Sequence, residues 1–272
     1  MAAPELTTDV SGNPYAEVFF DPEGFDPEVA YIQVARYSED REWRVRGGVN
    51  IAPGVAAPDF EAPFNVQSEY RAEMFTASGA SLGWTESAAV VLEYEGTVVH
   101  QPLDPTLWTP MDILPGSVAA LARPDDGEFV ETEGRSVGVW IGSGRGGLRD
   151  VRVSMQARDV ATADAFQSML GTYESDQFTV VCIRTSKSIR WPRTFFAQGD
   201  FGELDRTIRF GGTKVQFDAR VNETAPPFPG LAVPLLTYDD LDASYSTYDA
   251  RDAAYASYTQ MDRDYSLAGV AG

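Results

Sequence analysis

The chain has 272 residues, 43% of them hydrophobic and 23% charged, a globular balance with length for about two domains. Its net charge of −20 excludes nonspecific nucleic-acid binding, which depends on lysines and arginines neutralising phosphates. One histidine and one cysteine leave no internal disulfide and no zinc site of the usual kinds; no stretch approaches the ~20 apolar residues of a membrane helix, and Met1 to Asn13 lacks the basic start and apolar run of a secretory leader.

Short alternating runs begin at once: Tyr15 to Phe20, Val29 to Tyr37, Trp43 to Ile51, Glu69 to Ala77 and Ser87 to Tyr94. Clusters such as Asp21-Pro22-Glu23-Gly24 and Ala52-Pro53-Gly54 separate them. Strands of this length with regular turn signals predict an antiparallel sandwich. After an N-terminal segment over residues 1–12, residues 13–97 read as one such domain of fibronectin type III or immunoglobulin-like size. Residues 98–134 read as an extended connector, because Pro102, Pro105, Pro110 and Pro115 stand in or beside Leu103 to Pro115.

A second sandwich, residues 135–224, is expected to carry strands near Ser136–Ile141, Leu148–Ala157, Phe178–Arg184, Thr194–Gln198, Thr207–Phe210 and Lys214–Ala219. Cys182 falls in the apolar run Phe178 to Ile183 and reads as a packed core thiol. One helix interrupts the strands: Thr162 is the expected N-cap, Phe166, Met169 and Leu170 form an i, i+3, i+4 stripe, and Gly171 stops it. Gly211-Gly212 signals a hairpin. The mainly β fold class thus comprises two antiparallel sandwiches and an appended tail.

Several motifs resemble chemistry without completing it. Gly142-Ser143-Gly144-Arg145-Gly146-Gly147 has dinucleotide-loop spacing, yet Val151, Val153 and Met155 then alternate as a strand where a helix must begin, so a glycine-rich hairpin loop is expected. Gly79-Ala80-Ser81-Leu82-Gly83 has nucleophile-elbow spacing, but His100, the only imidazole, follows after one strand and no helix. Asp21, Glu23, Asp26 and Glu28 form an acidic loop whose Pro22 and Pro27 fit no EF-hand; it reads as a solvated turn. The five tryptophans, Trp43, Trp84, Trp108, Trp140 and Trp191, suit core positions or a sugar-stacking platform. No catalytic, cofactor-binding or metal-binding set emerges, and the chain is expected not to be an enzyme.

Charge is unevenly spread. Residues 1–133 carry 6 basic against 24 acidic side chains, residues 134–220 carry 13 against 9, and residues 221–272 carry 2 against 8. Such asymmetry favours an acidic surface of one copy meeting a basic surface of another.

A stiff proline linker, residues 225–236, leads into the most distinctive segment. Over residues 237–266 a ten-residue unit recurs three times, aligning Tyr238, Tyr248 and Tyr258, then Asp242, Asp252 and Asp262, then Tyr245, Tyr255 and Tyr265. At 100° per residue a single helix would leave successive copies about 80° out of phase. Three short helical turns are expected instead, each Asp accepting backbone N–H bonds at a turn start while the tyrosines pack copy against copy. So short a segment buries little alone and reads as a docking element.

Two stretches resemble the minor tail proteins of tailed phages that infect Actinobacteria. One runs from Asp59 through Pro63, Phe64 and Asn65 to Tyr70-Arg71-Ala72. The other takes in Val151 to Ala157, Ala163 to Leu170, Phe178 to Arg184, Trp191-Pro192-Arg193, Phe195-Phe196-Ala197-Gln198-Gly199-Asp200 and the segment up to Glu223. A proline linker and aromatic terminal repeats follow, here with tyrosine where that family often shows tryptophan. The resemblance implies a virion structural protein at the distal end of the tail, in a symmetric collar around or beside a hub. Its implied partners are further copies of itself and other tail-tip proteins, with no catalytic residue and no cofactor. The alternative reading is a sandwich module that binds a host-surface glycan.

Overall fold

The computed structural model describes residues 3–131, 133–134, 136–171, 179–206, 213–228, 236, 238–255, 258, 261 and 267, with backbone alone at 126 and 143. Its regular structure is mainly β, in several antiparallel sheets, as the alternating runs predict. The chain divides into two compact units, one of Met1–Tyr94, His100–Trp108 and Pro227–Gly272, the other of Glu95–Val99 and Thr109–Pro226.

The first unit opens with β1 (Glu5–Asp9), β2 (Tyr15–Phe19), β3 (Tyr31–Ser38), β4 (Arg41–Ile51), β5 (Ala57–Asp59), β6 (Gln67–Phe75), β7 (Ser81–Trp84) and β8 (Ala88–Val91). They make a three-stranded sheet, β1-β2-β5, and a five-stranded one, β4-β3-β6-β7 with β8 also on β6. In β6 the two-residue period is complete: Ser68, Tyr70, Ala72 and Met74 are buried while Gln67, Glu69, Arg71 and Glu73 are not. The β3–β4 hairpin turns on Glu39 and Asp40, both at positive φ (51° and 58°) between the paired Ser38 and Arg41, the type I′ geometry that matches strand twist. On the outward side, Trp84 lies between Arg71 and Arg44, 4.1 and 5.5 Å from its ring centre, and these arginines pair with Glu42 and Glu73.

The passage from Asp59 to Ala72 carries an ionic knot in this unit's interior. Asp59 accepts from the Arg36 guanidinium at 2.5 Å, from the Tyr70 hydroxyl at 2.9 Å and from the Glu61 backbone N–H at 2.9 Å. Arg36 and Asp59 are both buried. Burial alone would lower the Arg36 pKa, but the Asp59 charge, with Tyr70 and Glu61 nearby, holds it above its ordinary value. Asn65, at φ 55°, acts as a side-chain strand: its amide donates to the Tyr94 carbonyl and its oxygen accepts from the Tyr94 N–H. Phe64 meanwhile packs on Tyr94 at 4.7 Å.

The expected connector over 98–134 is corrected: it contains β9 (Thr97–Gln101), β10 (Asp104–Pro110), β11 (Asp112–Ile113) and β12 (Asp125–Val130). Its prolines mislead because they fall where a strand tolerates them. Pro102 sits in the β9–β10 turn, and Pro105 and Pro110 lie in β10, the outermost strand of its sheet, where a missing N–H costs no ladder bond on the open side.

The second unit continues with β13 (Val139–Arg145), β14 (Val151–Ala157), the helix α1 (Val160–Leu170), β15 (Val180–Thr185), β16 (Thr194–Gly199), β17 (Gly202–Asp205) and β18 (Val215–Glu223). Strands β15-β16-β18-β14-β11 follow one another in a single sheet, with β17 also on β18. Every residue of β15 is buried, which explains the apolar run Val180 to Ile183 and places Cys182 as a buried free thiol. Gly199 is obligatory at its position, since a Cβ there would meet the Arg220 carbonyl oxygen at 2.6 Å. Helix α1 buries Ala163, Phe166 and Met169 and stops at Gly171, φ 93°. Phe166 contacts Phe217 at 4.6 Å and Phe201 at 5.2 Å.

Two local expectations change. The N-cap of α1 is Asp159, whose carboxylate accepts the Thr162 N–H at 2.8 Å, so the helix starts a turn earlier than a Thr162 cap implies. That hydrogen bond also holds the Asp159 pKa below its ordinary value. The glycine-rich segment from Gly142 is not a loop: β13 runs through Gly144 to Arg145 and pairs with β12. Thr207–Phe210 and Gly211-Gly212 lie outside the described residues.

Candidate docking surface

The repeats form short helices with the ten-residue spacing that the sequence implies: α2 (Tyr238–Ser244), α3 (Tyr248–Ala254), and helical backbone again at Tyr258 and Met261. Asp262 and Tyr265 lie outside the described residues. The cap is the main correction. Asp242 and Asp252 sit five residues into their units, late in each helix, and cannot satisfy first-turn donors. In α3 that task falls to Thr247, whose hydroxyl accepts the Ala250 N–H at 3.2 Å. The sequence signal was the column Thr237, Thr247 and Ser257 at the head of each unit, followed by first-turn acids such as Asp239 and Asp249 that suit the helix dipole.

The three named columns behave differently. Tyr245 and Tyr255, each one residue past a helix, meet edge-on at 5.8 Å, and the Tyr245 hydroxyl donates to the Tyr255 hydroxyl at 3.0 Å. Those tyrosines pack copy against copy. Tyr238, Tyr248 and Tyr258 instead form an outward column, 67–70% exposed. Asp242 faces Arg251 at 3.7 Å, and the Arg251 guanidinium stands 4.5 Å from the Tyr248 ring centre. A fourth column escaped sequence reasoning: Leu241, Arg251 and Met261 occupy one repeat position, and Leu241 and Met261 are buried. Between the helices, Asp242, Tyr245, Ser246, Thr247, Tyr248 and Arg251 line a cleft of about 230 Å³. It offers a carboxylate, a guanidinium and hydroxyls on aromatic walls, groups able to recognise a polar partner.

The start of the tail is fastened within the same unit. Buried Arg46 donates from Nη2 to the Pro227 carbonyl at 2.8 Å, from Nη1 to the Phe228 carbonyl at 3.1 Å, and from Nε to Glu61 at 2.8 Å. A proline-rich segment has carbonyls to spare and few N–H groups, and a guanidinium fork meets two successive carbonyls.

The tempting motifs serve the fold. Ser81 is exposed and donates to Glu73 at 3.0 Å, while His100 is buried in β9. Asp21 and Asp26 accept the N–H groups of Glu23 and Glu28, as turn carboxylates do. Trp191 is buried and stacked on Phe195, whereas Trp140 is half-exposed on β13. Among the described residues no cluster of three or more metal-ligating side chains occurs, and no helix is long and apolar enough to cross a membrane.

No protein-family model, curated protein or solved structure matches this chain.

Proposed function

We propose that this chain is a structural protein of the tail tip of a tailed phage, assembling around or beside the central hub and docking its neighbours through the C-terminal repeats. The observation that carries the reading is the outward column of Tyr238, Tyr248 and Tyr258, repeated every ten residues while Leu241 and Met261 of the same repeats are buried. Large rings presented at a fixed spacing, about two-thirds exposed even where Tyr248 meets Arg251, suit a partner with matching recesses. The order of the motifs from Asp59 to the terminal repeats supports the same reading.

Immunogold labelling of intact particles from the same source is expected to place this protein at the distal tail end. Particles without label overturn the virion reading. The surface itself is tested by Tyr238→Ala, Tyr248→Ala and Tyr258→Ala together. Burying one ring contributes about 2 kcal/mol, so the triple variant is expected to keep its circular dichroism and melting temperature while its docking weakens by about a hundredfold or more. Wild-type incorporation of a triple-variant chain into particles removes the docking role.

A further inference from the structure

Strands β12 and β13 form a sheet of their own, in register from Asp125 opposite Arg145 to Val130 opposite Val139, with a bulge at Asp126/Gly127. Opposed residues of an antiparallel pair share a face and successive ones alternate. Phe129 and Trp140 therefore stand on one face, and Glu128, Val130, Val139 and Ile141 on the other. The aromatic rings lie across glycines: a Cβ on Gly138 would come 2.5 Å from the Phe129 ring, and one on Gly127 2.7 Å from the Trp140 ring. Rings seated over strand glycines stiffen a sheet edge. Even so, Phe129 and Trp140 are 50–56% exposed, and Val137 and Ile141 62–73%. An isolated two-stranded hairpin is marginal in water. This one is apolar on both faces, and among the described residues neither strand has a second strand neighbour.

Charge selects what completes it. Strand β12 carries Asp125, Asp126 and Glu128, with Glu131 and Glu133 just beyond, whereas β13 carries Arg145 and no acid. The sign change along the chain, from 6 basic against 24 acidic up to residue 133 to 13 against 9 from residue 134 to 220, falls at the tip of this hairpin. Two β12 edges laid together would set acids against acids. A β13 edge laid antiparallel on a β12 edge brings Arg145 beside Asp125, the match already made within one hairpin. We infer that the β13 edge of one copy pairs with the β12 edge of a second copy, head to tail, so that each hairpin is flanked on both sides. Head-to-tail contacts close into a ring where the rotation permits. The inference shares with the tail-tip reading only its partner, a second copy, and uses a different surface.

The test uses the full chain and reads self-association by sedimentation velocity. Asp125→Lys with Glu128→Lys gives a hairpin basic on both edges, and Arg145→Glu gives one acidic on both edges. Each is expected to associate about tenfold more weakly than wild type, or less still. An equimolar mixture is expected to recover association, because the basic edges of one variant now face the acidic edges of the other; recovery also shows that both variants fold. A wild-type chain that stays monomeric, a mixture no better than its components, or an unaffected Asp125→Lys/Glu128→Lys variant overturns the inference. So does a monomeric chain whose Trp140 emission is quenched by host-wall polysaccharide, which assigns the aromatic face to a sugar. The triple tyrosine variant, run in parallel, shows whether any loss belongs to the tail instead.

Discussion

Asp59→Asn is expected to remove about 3–5 kcal/mol from the stability of the first unit, enough to leave it largely unfolded at moderate temperature. The carboxylate holds three donors at once: the Arg36 guanidinium, the Tyr70 hydroxyl and the Glu61 N–H. An amide of the same shape presents one oxygen and no charge, so the buried Arg36 cation loses the carboxylate against it and keeps weaker partners such as the Ser38 hydroxyl, 3.2 Å from its Nε. Tyr70 supplies a control. Burial and the Asp59 charge keep its phenol protonated well above the ordinary range, so it remains a donor throughout the working pH range. Tyr70→Phe therefore loses one hydrogen bond, about 1 kcal/mol. Replacing both members of the pair, Arg36→Met with Asp59→Leu, removes the stranded charge and is expected to cost less than Asp59→Asn alone. Urea unfolding followed by tryptophan emission measures all three. An Asp59→Asn midpoint within error of wild type would mean that the knot holds nothing.

The same knot shows what a sequence hides. Arg36 and Asp59 stand 23 positions apart and Arg46 and Glu61 15, so no local pattern joins them; only the packing of β5 and the residues just after it against β3 and β4 does. Where burial is one-sided, as in β6, the two-residue period shows the strand directly. Strands of three to five residues such as β1, β5, β7 and β17 are too short for that period to rise above noise, and β10 hides behind its prolines. The β3–β4 turn was illegible because Glu39-Asp40 occupies a geometry usually marked by Asn-Gly. In the tail, chemical likeness made the tyrosine and aspartate columns visible and their ten-residue spacing meaningful. The buried column was missed for the opposite reason: leucine, arginine and methionine share an inward position without sharing chemistry.

Arg46 joins this interior to the tail, and Arg46→Ala is expected to act at both places. It leaves Glu61 buried without its cation and strips the donors from the Pro227 and Phe228 carbonyls, a loss of about 3–5 kcal/mol at neutral pH. Protease cleavage in the segment beyond Pro229 is expected to accelerate. The deficit depends on pH in a direction that the site fixes. Burial raises the Glu61 pKa above its ordinary 4.5 by more than Arg46 lowers it. A carboxyl raised in the folded state takes up a proton on folding, so its stabilising contribution is complete below about 4.5 and is lost as pH rises through the folded value. Without Arg46 that folded value climbs further, and the slope steepens. The variant should therefore approach wild type as pH falls from 7 toward 5, and adding Glu61→Gln to it should flatten the difference. Urea midpoints at the two pH values decide the matter: an equal deficit at both would show that Arg46 acts on the tail carbonyls alone. A deficit that shrinks with acid, together with cleavage beyond Pro229 that is faster than wild type at neutral pH and slows toward the wild-type rate in acid, would show one buried carboxylate governing the first unit and the seating of its C-terminal segment.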